Sequence, residues 1–309
     1  MKITVIGAAG CIGSAAAFYI AANGLANEII MIDPQENLLL HHAMDLGTAV
    51  SDQDTIIRTG NFSDMTGTDI VINAAGAHQA LIASRMEMLP KNLTIVQDIA
   101  REIFQYCPEA VMITATNPVD PLNYATYLLS PGRDRSRFIG YSRNDSARFR
   151  MMVAQALGVR NSRTEGTVIG EHGASQVLLF SSVRVNKKRV SIGDDIKQEI
   201  RKKVPNILRS YEELKTGRTA GWTSAIGLAA VARAIIRNTG DVIPCSAVLS
   251  GEYGCQGLSM GVPAVIGQGG IHEILEWDLA PDEQEGLKGT INALQPAMKY
   301  VEEHVGKAS

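Results

Sequence analysis

At 309 residues the chain is about twice the length of a typical single domain, so two domains are expected. Its 45% hydrophobic and 20% charged residues, 29 glycines and 11 prolines exclude disorder, a collagen repeat and a disulfide-dense scaffold. A net charge of −3 leaves no electrostatic footprint for nucleic acid or an acidic membrane surface, and the four scattered cysteines, without metal-ligand spacing, suit a reducing cytoplasm.

In chain order, short apolar or β-branched runs predict strands at Lys2–Ile6, Glu28–Ile32, Ile56–Arg58, Asp69–Asn73, Ala110–Thr114 and Arg137–Gly140. Helical periodicity covers Ile12–Asn23, Asn37–Leu46 and Met86–Tyr106 between them. Strands separated by helices imply parallel pairing and a doubly wound α/β sheet, with ligands at the carboxyl ends of the strands. The uncharged run Ile3–Ala22 is too broken by glycine for a signal peptide and reads as the start of a nucleotide-binding β-α-β unit. No other segment suggests a membrane span.

Near Gly140 the rhythm changes. A helix is predicted at Asp145–Leu157, then strands at Thr164–Ile169, Gln176–Val185 and Lys188–Ile192, with a turn at Asn186-Lys187. Helices at Asp194–Thr216 and Gly221–Arg237, strands at Val242–Leu249 and Val262–Ile266, and a closing helix at Asp282–Val305 follow. This is a mixed α+β half, and a boundary near Ser142 divides the chain into residues 1–142 and 143–309.

Gly7-Ala8-Ala9-Gly10-Cys11-Ile12-Gly13 directly follows the first strand and opens a helix. Glycines there permit a tight turn, approach of a pyrophosphate and close helix–strand packing, while the helix N-terminus offers unpaired N–H groups. Twenty residues past Gly13, at the end of the second strand, Asp33 can accept hydrogen bonds from ribose hydroxyls and repel a 2′-phosphate. The pair points to NAD.

Of six histidines, His172 stands out in Gly170-Glu171-His172-Gly173, at the end of an apolar strand. Asp145 and Arg148, three apart, share a helix face; the aspartate can orient an imidazole and the arginine can grip a carboxylate. Gln79 and Arg85 flank an apolar loop segment, and Asn117 in Thr116-Asn117-Pro118-Val119-Asp120 points toward the ligand crevice.

These motifs, with Gly261-Val-Pro-Ala-Val-Ile-Gly267, occur in an order that resembles the lactate/malate dehydrogenase family over essentially the whole chain. The resemblance implies a Rossmann-type NAD-binding domain, a substrate domain, and reversible hydride transfer between NAD and an L-2-hydroxy acid. It casts His172 as proton donor and base, Asp145 as its partner and Arg148 as the anchor of the 1-carboxylate. Arg85 would close over the substrate carbonyl, with Gln79 and Asn117 beside the substrate. Gly7 to Gly13, Asp33, Ala75, Gly76, Asn92, Ala115 and Asn117 would surround NAD. A homodimer or homotetramer in the cytoplasm is implied as well.

Two departures bear on the substrate. Malate dehydrogenases usually carry an arginine where this chain has Gln79, so a monocarboxylate such as lactate is favoured over malate; a dicarboxylate would set a buried charge against a neutral amide. Tyr141-Ser-Arg-Asn144 before Asp145 is also atypical, with Arg143 as a possible substitute cation, and the small hydroxyl residue of the pocket is either Thr219 or Thr223. Two rivals remain. One is a short-chain dehydrogenase, suggested by Asn73-Ala-Ala-Gly76 and Tyr211-x-x-x-Lys215. The other is a catalytically silent NAD-binding protein.

Overall fold

The computed structural model describes residues 1–77, 85–132, 134–216 and 218–305, without the side chains of Arg85, Leu208 and Glu212. The first half comprises β1 (Lys2–Ile6), α1 (Cys11–Ala22), β2 (Glu28–Ile32), α2 (Glu36–Ala49), β3 (Ile56–Thr59) and β4 (Ile70–Asn73). It continues with α3 (Leu89–Tyr106), β5 (Val111–Thr114), α4 (Val119–Leu129) and β6 (Phe138–Gly140). The six strands are parallel, in the order β6-β5-β4-β1-β2-β3. Apart from the edge strand β3, they are almost wholly buried, as expected when helices cover both faces. Strand order reverses between β1 and β4, which opens a crevice beyond their carboxyl ends.

The second half comprises α5 (Arg143–Ala156), β7 (Thr164–Ile169), β8 (Val177–Val185), β9 (Lys188–Arg189), α6 (Asp194–Glu213) and α7 (Gly221–Arg237). It ends with β10 (Asp241–Ser250), β11 (Gln256–Gly267), β12 (Gly270–Ile274) and α8 (Pro281–Val305). β7, β8 and β9 form a separate antiparallel sheet under α5, where Phe149 meets Phe180 edge to face with centroids 5.1 Å apart. Asn186 and Lys187 both take positive φ, 51° and 66°, as a two-residue hairpin turn requires. The strand predicted to reach Ile192 stops at Arg189.

Three features differ from the sequence-based expectation. First, β10, β11 and β12 extend the first-half sheet antiparallel from β6, so one nine-stranded sheet crosses residue 142. Second, α4 did not stand out because every residue from Val119 to Thr126 is buried, which leaves no polar stripe to mark a helical period. Third, β12 is a short edge strand with exposed His272 and Glu273, too brief and polar for an apolar run. Among the described residues no helix is long and apolar enough to cross a membrane.

The β6–β10 join is short, with only Gly140 paired to Ser246 and Ile139 to Ala247. A Cβ on Gly140 would lie 2.6 Å from Ser246 Cβ, so glycine is needed for this approach. Asn123 of α4 braces the join: its Nδ2 donates to Ser259 Oγ at 3.0 Å, Ser246 O at 3.3 Å and Phe138 O at 3.4 Å. Replacing Asn123 with Leu removes that brace from a fully buried position, and urea denaturation should show a loss of about 1–3 kcal/mol.

Candidate active site

The glycine loop lies at the strand-order reversal. Gly7 has φ +80° and a Cβ there would sit 2.6 Å from the Ala75 nitrogen, so the chain leaving β1 presses on the chain leaving β4. A Cβ on Gly13 would lie 2.2 Å from the Gly7 carbonyl oxygen. α1 begins at Cys11 behind Gly10, with no side chain capping its N-terminal N–H groups. At the end of β2, Asp33 accepts from Ala9 N–H at 3.1 Å and Gln35 N–H at 3.0 Å, which ties the acidic residue to the loop. An uncapped helix start, a floor that excludes side chains and a carboxylate at its edge fit the pyrophosphate and ribose of a dinucleotide.

His172 sits in the loop after β7, held from four elements. Gly170 exchanges two 2.8 Å backbone hydrogen bonds with Gly261 of β11. Glu171 N–H donates to Thr290 Oγ1 of α8 at 3.2 Å, and the Glu171 carboxylate accepts from the N–H and hydroxyl of Ser175. His172 N–H donates to Asp120 Oδ2 of α4 at 2.7 Å. The imidazole Nδ1 lies 2.5 Å from Asp145 Oδ2, in the first turn of α5.

Arg148, one turn further along α5, donates from Nη1 to Asp145 Oδ1 at 3.2 Å. One carboxylate, 3% exposed, therefore holds both the ring and the guanidinium, each 8% exposed. The contact fixes the orientation of the ring, with Nδ1 donating toward the carboxylate.

A pocket at the carboxyl ends of the strands is lined by His172, Arg148 and Asn117, with Ile12 and Ala115 on the glycine-loop side. Asn117 Oδ1 is buried there without a hydrogen-bond partner, while its carbonyl accepts from Asn92 Nδ2 at 2.6 Å. Asn92, expected beside the cofactor, has its side chain committed to the protein, since its Oδ1 also accepts from Ala77 N–H at 2.8 Å. Its observed part is to join the segment after β4 to the one after β5. Gly76 packs there too, with room for a Cβ only 3.0 Å from Thr116 Cγ2.

The opposite wall was not foreseen as a site. Tyr141 O–H donates to Asn144 Oδ1 at 2.7 Å, Asn144 Nδ2 to Ser224 Oγ at 2.9 Å, and Ser224 O–H to Ala220 O at 2.8 Å. All four line the pocket, and burial raises the Tyr141 pKa, so this wall is neutral and polar. The only sequence signal was that the residues before Asp145 were unusual. Thr219 lines the pocket, whereas Thr223 is not among its lining residues. Nor is Arg143, at the start of α5. Gln79 and the Arg85 side chain lie outside the described residues. Tyr211 is exposed on α6, and Lys215 falls beyond that helix with φ 53°, so the pair does not share a helical face as short-chain chemistry would require.

A dinucleotide crevice beside a carboxylate-held histidine and a buried arginine defines an NAD-dependent oxidoreductase. Residues 1–140 match the lactate/malate dehydrogenase NAD binding domain, and residues 143–305 match the lactate/malate dehydrogenase alpha/beta C-terminal domain. The chain belongs to the lactate/malate dehydrogenase family. It is 35% identical over 290 residues to the malate dehydrogenase of Halobacterium salinarum, covering 93% of this chain and 94% of that protein. It is 32% identical over 313 residues to L-lactate dehydrogenase 1 of Clostridium acetobutylicum, covering 97% and 98%. The lactate dehydrogenase of Cryptosporidium parvum, solved with lactic acid and β-nicotinamide adenine dinucleotide, superposes with a TM-score of 0.91 at 30% identity over 97% of this chain and 98% of that one. Both activities thus occur among the relatives, and lactate is not singled out.

NAD is the cofactor, and the glycine loop gives a direct test. Gly13→Ala must displace α1 from the loop, so NADH affinity, followed by energy transfer from protein to nicotinamide, should fall about tenfold or more.

Proposed function

We propose that the protein interconverts an L-2-hydroxy acid and its 2-oxo acid, with His172 as proton donor and acceptor at the 2-oxygen. The observation that carries this reading is the shared Asp145 carboxylate, which presents an imidazole and a guanidinium to one buried pocket. Arg148 is matched to the 1-carboxylate of the acid, whose planar oxygens suit a guanidinium fork. Asn117, with its unpartnered Oδ1, can accept from a donor on the bound molecules. Arg85 is proposed to polarise the carbonyl, and Gln79 to face the substituent at C3. Bound NAD supplies the carbon that gives or takes the hydride.

During reduction, negative charge grows on the 2-oxygen, so a protonated His172 stabilises the transition state more than the ground state. In oxidation the neutral ring takes the alcohol proton, and Asp145 holds the imidazolium that forms. Residues 1–142 are assigned to NAD binding, through Gly7, Ala8, Ala9, Gly10, Cys11, Ile12 and Gly13, with Asp33 at the ribose and Ala75, Gly76, Ala115 and Asn117 around the nicotinamide side, where Asn92 holds the two loops together. Residues 143–309 are assigned to the substrate.

Within this class we favour a monocarboxylate such as lactate, on Gln79 and on the neutral wall of Tyr141, Asn144 and Ser224. The Halobacterium salinarum relative, a malate dehydrogenase, supports a dicarboxylate as the second reading. Pyruvate and oxaloacetate, each assayed with NADH, decide between them: pyruvate should give the higher kcat/KM, and Gln79→Arg should move the ratio toward oxaloacetate. His172→Asn should lower kcat by about 10²–10⁴-fold with NADH affinity unchanged; retained turnover would remove His172 from the chemistry.

A second copy of the chain is the proposed partner, in a homodimer or homotetramer. Support comes from large apolar side chains left exposed on α1, α2 and α7, namely Phe18, Leu38, Leu40, Met44, Trp222 (75% exposed) and Ile226. Four free cysteines, three of them buried, accord with the proposed cytoplasmic setting. Sedimentation velocity should show an oligomer that the Met44→Glu, Trp222→Glu double variant converts to monomer.

A further inference from the structure

Asp120 has no part in the roles assigned above, yet it is 1% exposed and its Oδ2 accepts the main-chain N–H of His172 at 2.7 Å. It lies in the first turn of α4, three residues past Asn117, so one short segment carries both a pocket side chain and the support beneath the imidazole. Asp120 Oδ1 is buried with no hydrogen bond of its own. The Ser246 hydroxyl, 2.8 Å from Ser259 Oγ, lies close enough to favour the charged form of the carboxylate. A carboxylate so enclosed is an expensive way to satisfy one backbone N–H, which an asparagine or a serine could also do.

From this placement we propose that Asp120 is a positioning residue for His172, which fixes the ring through its main chain and uses its negative charge to favour the imidazolium. The proposal rests on the proton-transfer role given to His172. The other charged groups on the described elements around the ring are Asp145 and Arg148 from α5 and Glu171 from its own loop. Asp145 fixes the ring at Nδ1, whereas Asp120 acts from behind, on the backbone. Burial pushes the Asp120 carboxyl up to about 7, held back by the Ser246 hydroxyl and the His172 N–H and raised further by Glu171 and Asp145.

The sign follows from electrostatics. A negative Asp120 favours the protonated ring, so its removal lowers the His172 pKa. Reduction needs the imidazolium, and its alkaline limb should move to lower pH; oxidation needs the neutral ring, and its acid limb should move the same way. Asp120→Asn keeps an oxygen for the His172 N–H and removes only the charge, which separates this role from a purely structural one.

The test is an NMR titration of ¹³C-labelled histidine in the full-length protein, with the His172 signal identified by its loss in His172→Asn. In Asp120→Asn the His172 pKa should fall by about half a unit or more, with the pH profile of 2-oxo acid reduction moving alongside. Asp120→Ala, which also loses the hydrogen bond, should in addition lower kcat about tenfold or more while NADH affinity is unchanged. An unmoved His172 pKa in Asp120→Asn overturns the proposal. Should that variant fail to fold, Ser246→Ala provides the second handle. It leaves the carboxylate in place but removes the hydroxyl that favours its charged form, so the His172 pKa should again fall, and an unchanged value is equally fatal. The titration requires no turnover, so an inactive wild type would refute the proposed function without deciding this inference.

Discussion

A carboxylate enclosed by protein needs partners, and Asp145 has two that matter for chemistry. The imidazole of His172 takes one oxygen and the guanidinium of Arg148 the other. Removing a single partner from such a buried cluster typically costs about 3–5 kcal/mol, because the remaining charge is left uncompensated. The same contacts that make the cluster stable therefore set the separation between the imidazole and the guanidinium, the proposed proton donor and carboxylate anchor. Position on the helix is part of the arrangement: Asp145 lies in the first turn of α5, where backbone N–H groups favour negative charge.

The surrounding structure keeps that geometry rigid. The loop bearing His172 is tied to β11 by paired glycine backbones, to α8 by Thr290 and to α4 by Asp120. Because β10, β11 and β12 continue the sheet that carries the glycine loop, the cofactor crevice and the histidine share one framework. The sheet itself passes from one half to the other through only two residue pairs between β6 and β10, and Asn123 reinforces that join from α4. α4 thus braces both the sheet join and, through Asp120 in its first turn, the backbone of His172.

Local signals made much of this legible. The glycines at 7 and 13 are required by a close approach of backbone to backbone, and their spacing directly after a strand and before a helix marks them. Asp145 and Arg148 are one helical turn apart, so their shared face followed from a period that does not depend on the rest of the fold. Asn186-Lys187 likewise marked a turn from its own residue types. Asp120 and Asn123 escaped notice because a polar residue on a wholly buried helix looks no different in sequence from a solvated one. Tyr141, Asn144 and Ser224 converge from residues about eighty apart, a proximity that no local pattern encodes.

Most of the strands and helices, the glycine loop with Asp33 after the second strand, and the shared helix face of Asp145 and Arg148 were thus determined by the sequence itself, because each rests on short-range periodicity or on the chemistry of neighbouring residues. The continuous nine-stranded sheet, the support beneath His172 and the neutral wall facing it were decided only by the tertiary structure. Burial and long-range packing choose which polar groups meet, and that choice is made when distant segments are brought together and water is excluded.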